Sequence, residues 1–200
     1  HIWKFFYTFV FHNKLYIMKL ADVQARNPRA ILVHSGILFD VFNPKIEDFN
    51  IIDIAHGLSN LCRYGGHCPD FYSVSQHSVL CSLQDGTPEE QFECLMHDGT
   101  EAYLIDLPRP IKRQMPNYME IEDNLLKLLC ERYKVNYPLS EKTHEVDNFL
   151  LHFEYDNFYT NPNPNFEFWS PKEAKERFLA RFYELKNKIE RVMNYSEKER

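Results

Sequence analysis

His97 and Asp98 stand side by side, and Glu101 follows four residues after the first and three after the second. On a helix that spacing sets Glu101 on the edge it shares with both. His77 lies twenty residues upstream on the preceding predicted helix, and Asp147 lies on a later one. Two imidazoles and two carboxylates suit a single divalent transition ion, whether Mn, Co, Fe, Ni or Zn. They are donors of intermediate hardness, and the carboxylates balance the ion's charge. The competing reading makes His77 a hydrogen-bonded core histidine and Asp147 a surface carboxylate. No second His-Asp-rich cluster accompanies the first, so one ion is expected rather than two.

Such residues act together only if separate elements bring them together. Ile31-Leu32-Val33, His34-Ser35-Gly36 and Ile37-Leu38-Phe39 read as a small hairpin closed by Pro44. Beyond residue 50 the apolar positions recur at helical spacing: Ile54, Leu58 and Leu61 first, with Asp53 as a cap, then a helix from about Ser73 that carries His77. Thr87-Pro88 predicts a capped helix running through Tyr103, and Asp106-Leu107-Pro108-Arg109-Pro110 a proline-stiffened loop. Ile121, Leu125, Leu128, Leu129 and Tyr133 mark a long amphipathic helix, and another is expected from about Ser140 to Tyr155. Asn161-Pro162-Asn163-Pro164-Asn165 is a linker. Ser170-Pro171-Lys172-Glu173 then starts a helix over 171–193, with Ala174, Phe178, Phe182, Leu185, Ile189 and Val192 as its buried stripe. The predicted class is all-α with a small N-terminal β-hairpin. One domain is expected over 18–193, with its core about 51–156 and a frayed tail over 194–200. Residues 1–17 hold seven aromatics and read as an upstream extension outside the domain; the alternative is an aromatic strand packed on the core.

Composition narrows the function classes. With 44% hydrophobic residues and 15% aromatics in 200 residues, the chain is neither disordered nor of low complexity. Lys+Arg 23 against Asp+Glu 29 leaves a net −6, which disfavours a protein held on nucleic acid by counterion release. The first 17 residues carry Lys4, His12, Asn13 and Lys14 and are too short and polar to span a bilayer, so no membrane partner is expected. Five cysteines at irregular spacing, with no CxxC, predict free thiols in a reducing, cytoplasmic setting.

Three runs, taken in order, are more specific than any of them alone. They are Arg63-Tyr64-Gly65-Gly66-His67 with Phe71-Tyr72-Ser73-Val74-Ser75-Gln76-His77-Ser78, then His97-Asp98-Gly99-Thr100-Glu101-Ala102-Tyr103, then Asp106-Leu107-Pro108-Arg109-Pro110-Ile111-Lys112. Together, over residues 31–155, they resemble the HD-domain metal-dependent phosphohydrolases. The likeness is to the branch that holds bacterial 5′-deoxynucleotidases and phage-borne nucleotide phosphohydrolases. The resemblance implies an HD-type helical bundle, metal ligands His77, His97, Asp98 and Asp147, and catalytic carboxylates Glu101 and Asp106. It also implies Arg63 and Lys112 as phosphate contacts. The context of Asp147 departs from the Ala-Asp pair usual in the family, and Glu145 and Asp156 are nearby carboxylates that compete for its place.

His67 is a further candidate substrate contact, against a loop-stabilising role. Tyr72 and Phe71 are weighed between base stacking and core packing, and Arg109 between the substrate and solvent. The expected activity is phosphate release from deoxynucleoside 5′-monophosphates. A deoxynucleoside triphosphate such as dATP is the alternative substrate, and a nucleotide-sensing module without catalysis is the alternative class. The expected partner is a small nucleotide. The C-terminal helix either pairs two copies into a homodimer or packs within the chain.

Overall fold

The computed structural model describes residues 6–11, 14–19 and 28–198, with side chains described over 28–193. Strands β1 (Phe6–Phe11) and β2 (Lys14–Lys19) pair antiparallel, with Phe6 opposite Lys19 and Phe11 opposite Lys14. β2 therefore crosses the 17/18 boundary set for an upstream extension. The β-branched and aromatic run that suggested an appendage has the composition strands favour. A second hairpin, β3 (Ala30–Leu32) and β4 (Leu38–Asp40), pairs Ile31 with Phe39 where the sequence predicts it.

The rest is helical. The helices are α1 (Ile51–Asn60), α2 (Val74–Ser82), α3 (Pro88–Met96), the single turns α4 (Glu101–Leu104) and α5 (Arg109–Lys112), α6 (Pro116–Tyr133), α7 (Glu141–Tyr155) and α8 (Pro171–Lys198). A π-helical turn over Asp156–Thr160 extends α7. Side-chain caps mark the starts. Ser73, Thr87 and Ser140 each accept a backbone N–H three residues on, and Thr87 and Glu90 complete a reciprocal capping box. Asn50, not Asp53, caps α1. Asp53 instead accepts from the Ser35 N–H at 2.6 Å and the Ser35 hydroxyl at 2.7 Å, which ties the β3–β4 turn to the bundle.

One core gathers Phe39, Ile54, Leu58, Leu95, Leu129, Phe178 and Leu185, all fully buried. Phe39 stacks on Tyr103 at 4.0 Å and meets Phe49 edge-on at 5.1 Å, so the hairpin packs against the helical turn that carries Glu101. Gly57 allows α1 to approach α4 closely, since a Cβ there would stand 2.8 Å from the Ala102 Cβ. The C-terminal helix packs within the chain through Ala174, Phe178, Phe182 and Leu185. Its apolar stripe ends earlier than predicted, since Val192 is half exposed. The helix itself continues to Lys198, past the frayed tail expected from 194, because Ser-Glu-Lys is compatible with helix. Residues 199–200 lie outside the described residues.

The helix predicted from Pro88 through Tyr103 is interrupted. α3 stops at Met96, residues 97–100 form a turn, and α4 starts at Glu101. Gly99 is the weak point: it has low helix propensity, and a Cβ there would lie 2.7 Å from Leu129 of α6. The interruption falls at the candidate site: His97, at φ −58° and ψ −37°, keeps helical angles at the end of α3, and its Nε2 lies 3.2 Å from Asp98 Oδ2.

Candidate metal centre

Three segments meet at one point: α2 with His77, the 97–100 turn with His97 and Asp98, and α7 with Asp147. His77 Nε2 is 3.2 Å from Asp147 Oδ1 and 3.8 Å from Asp98 Oδ2; His97 Nε2 is 3.2 Å from Asp98 Oδ2 and 3.8 Å from Asp147 Oδ1. The far nitrogens explain why both Nε2 atoms face inward. His97 Nδ1 lies 2.7 Å from the Cys94 carbonyl, which only accepts, so the proton sits on Nδ1. His77 Nδ1 is held by the Glu154 carboxylate. Among the described residues, His97 Nε2 is a buried polar atom with no hydrogen-bond partner, since its approach to Asp98 lacks hydrogen-bond geometry.

The spacing fits a cation. Ligand atoms each about 2.1 Å from one ion stand about 3.0 Å apart at a right angle and about 4.2 Å apart when opposite, and all four N···O separations fall inside that window. Cys81 adds a thiol that sequence reading left among the inert cysteines. Ligand atoms of His77, Cys81 and His97 all lie within 4.8 Å of one another, and this group could hold a metal ion. Its signal was present in the sequence, because Cys81 follows His77 by one helical turn and shares its face.

Electrostatics supports the same picture. Burial opposes a charge on either imidazole, yet the surrounding acidic partners (Asp98 and Asp147 for His97; Cys81, Glu154 and Asp147 for His77) hold both pKa values well above the ordinary one. Burial also opposes ionisation of Asp98 and Asp147, but the two histidines hold both carboxylates below their usual range. The cluster is thus short of positive charge.

A cavity of about 330 Å³ opens above the cluster, lined by Arg63, Tyr64, Asp98, Glu101, Asp106, Arg109, Lys112 and Asp147, with Leu107, Pro108, Pro110 and Leu151 as its apolar wall. Burial, with Asp98 and Asp106 adding to it, pushes the Glu101 carboxyl well up. Its Oε2 is buried without a hydrogen-bond partner. Asp106 is raised as well, burial and Asp98 outweighing Arg63. Ile105, between them, holds φ 89° and ψ 154°, a region reserved almost entirely for glycine. The Tyr118 hydroxyl pins its carbonyl at 2.7 Å, and its N–H donates to the Glu101 carbonyl at 2.8 Å. This backbone bend turns the chain sharply before Asp106.

The cations come with partners. Arg63 reaches Asp98 and Glu154, each at 3.4 Å; Arg109 donates to Asp147 at 2.8 Å and to Asn148 at 3.0 Å; Lys112 pairs with Glu122 at 2.7 Å. Asp147, not Glu145 or Asp156, is the α7 carboxylate at the cluster, since the other two are exposed elsewhere. His67 stands exposed and outside the cavity lining, after Gly65 and Gly66 at φ 62° and 81°; its carbonyl accepts from the Tyr159 hydroxyl at 2.9 Å. Tyr72 is fully buried in the core. The residue that sequence reading missed altogether is Glu154.

No family model matches the chain. It is 44% identical over 106 residues to the uncharacterized protein YfdR of Escherichia coli (strain K12), an alignment covering 52% of this chain and 58% of that protein. It is also 35% identical over 108 residues to an uncharacterized protein of Rhodobacter capsulatus, covering 50% of this chain and 55% of that one. The chain thus spans a little over half the length of the curated relatives it matches. No helix among the described residues is long and apolar enough to cross a membrane.

Proposed function

We propose that this chain is a metal-dependent phosphohydrolase of the HD-domain kind that releases phosphate from deoxynucleoside 5′-monophosphates. The observation that carries the reading is the convergence of two Nε2 atoms and two carboxylates beneath a cavity that also exposes Glu101, Asp106 and Arg63. His77, His97, Asp98 and Asp147 would hold the ion, which supplies Lewis-acid polarisation and a nucleophilic water at neutral pH. Their spacing and charge deficit suit it, and ligand protons are released when a cation binds.

The chain's own residues account for the remaining steps. Arg63 and Lys112 neutralise the phosphate oxygens by charge-assisted hydrogen bonds. Asp106, the more open carboxylate, accepts a proton from water as its oxygen bonds to phosphorus. Glu101, kept protonated by burial, donates its proton to the departing 5′ oxygen as the P–O bond breaks. The apolar wall of Leu107, Pro108 and Leu151 packs against the nucleoside.

One observation favours a second substrate. Arg109 adds a third cation on the cavity lining, as a triphosphate would require. The test is a panel of dAMP and dATP with Mn, Co, Fe, Ni or Zn added back after chelation. Inorganic phosphate from dAMP, lost on chelation and in Asp98→Ala, is the expected result, and a polyphosphate product from dATP would move the substrate to the triphosphate. Nucleotide binding without turnover under every ion would replace the hydrolase with a sensor.

A further inference from the structure

Glu154 lies behind the cluster, outside the cavity lining, with no solvent exposure. Oε1 takes the Tyr72 hydroxyl at 2.7 Å and His77 Nδ1; Oε2 takes the Tyr64 hydroxyl at 2.8 Å and faces Arg63 Nε at 3.4 Å. Two hydroxyls donate to the carboxylate, an imidazole nitrogen adjoins it and a guanidinium faces it, so its surroundings suit a negative charge. Its place on α7 matters equally. Asp147 sits two helical turns earlier on the same face, so one helix holds His77 at both nitrogens, Glu154 at Nδ1 and Asp147 at Nε2.

We infer that Glu154 is a positioning residue for both halves of the site. Its carboxylate locks His77 in the Nδ1–H form with Nε2 aimed at the cluster, and it steers the Arg63 guanidinium, whose Nη1 faces Asp98 at 3.4 Å. The inference rests on the metal-dependent reading. A carboxylate behind a metal-facing imidazole fixes its tautomer and raises its basicity, and losing such a partner typically weakens metal affinity about 10- to 100-fold.

The test compares Mn²⁺ binding by titration calorimetry in the full chain, Glu154→Gln, and Glu154→Asp, which keeps the charge but withdraws it by one methylene. Affinity is expected to fall about 10- to 100-fold in the glutamine variant and by less in the aspartate variant, with the KM for dAMP raised in both. Nitrogen-15 spectra of the histidines at alkaline pH, where the ion-free ring is neutral, supply a readout independent of the ion: His77 should be a single Nδ1–H tautomer in the wild type and a mixture in Glu154→Gln. Glu93→Gln, an equally buried carboxylate away from the site, is the control for a merely structural loss and should leave Mn²⁺ affinity unchanged. Should Glu154→Gln not fold, the aspartate variant decides. Equal Mn²⁺ affinity with an unchanged tautomer in the folded variants overturns the inference alone. No binding of Mn²⁺, Co²⁺, Fe²⁺, Ni²⁺ or Zn²⁺ by the wild type overturns the metal reading, while the tautomer experiment still tests the role of Glu154.

Discussion

Two glutamates eight residues apart on the same stretch of chain are both buried, and they have opposite fates. Glu93 of α3 is ringed by donors at the start of α7: the Ser140 N–H, the Thr143 hydroxyl at 2.7 Å and the Asn136 amide at 3.1 Å. Burial opposes its ionisation, but these hydrogen bonds win and its pKa is lowered. Glu101 of α4 has an orphaned oxygen and acidic neighbours, and its pKa is raised. The contrast separates two uses of one side chain. Where a buried carboxylate is given donors, it joins elements together; where it is denied them, it is held in a high-energy state that chemistry can draw on.

The largest way to sharpen this contrast is Glu101→Gln. Initial rates on dAMP should fall about 10²- to 10⁴-fold, the worth of a general acid or base, while metal content persists. The sign on stability is the reverse of the usual one. A carboxyl whose folded pKa is raised contributes stability at low pH that is lost as pH rises through that pKa. The glutamine variant should therefore melt higher than the wild type at neutral pH, with the gap closing on acidification. A wild-type advantage at neutral pH would break the comparison.

Glu93→Ala tests the other member. Three donors lose their acceptor, so denaturant titration should show a loss of about 3 kcal/mol, with kcat of the folded fraction intact. The acid limb comes next. Glu154 is drawn down from 4.5 to about 2, burial being outweighed by His77, Arg63 and its hydrogen bonds. Its contribution, about 3 kcal/mol from that shift, is present above pH 4.5 and lost as pH falls toward 2. Glu154→Gln should flatten that limb of the stability curve. The smallest effect belongs to Arg109→Ala. Its half-exposed pair with Asp147 should alter unfolding free energy by less than about 1 kcal/mol, and a larger loss would make it a fold-bearing contact instead.

What could be read from the amino-acid order was local. Caps at Thr87 and Ser170, helix starts near Ser73 and Ser140, and the apolar spacing of α6 and α8 announced themselves, because the partners lie within one or two turns. The spacing of His97, Asp98 and Glu101 was visible for the same reason, whereas His77, twenty residues upstream, was joined to them only by the ordered resemblance. Glu154 left no trace: its partners Tyr64, Tyr72 and His77 lie far up the chain, and nothing in His152-Phe153-Glu154-Tyr155 distinguishes it from a surface acid. The break at 97–100 was not read from the sequence although Gly99 is a poor helix former; what the sequence hid is Leu129, which leaves no room for a Cβ at Gly99.

Ile105 has a consequence for how this site can fail. A side chain branched at Cβ resists the conformation it occupies, at a cost of about 1–3 kcal/mol, and is kept there only while Tyr118 and the last turn of α4 hold it. Loosening the clasp from α6 should release the bend and carry Asp106 off the cavity wall, so damage at Tyr118 would be felt one residue beyond the joint it holds.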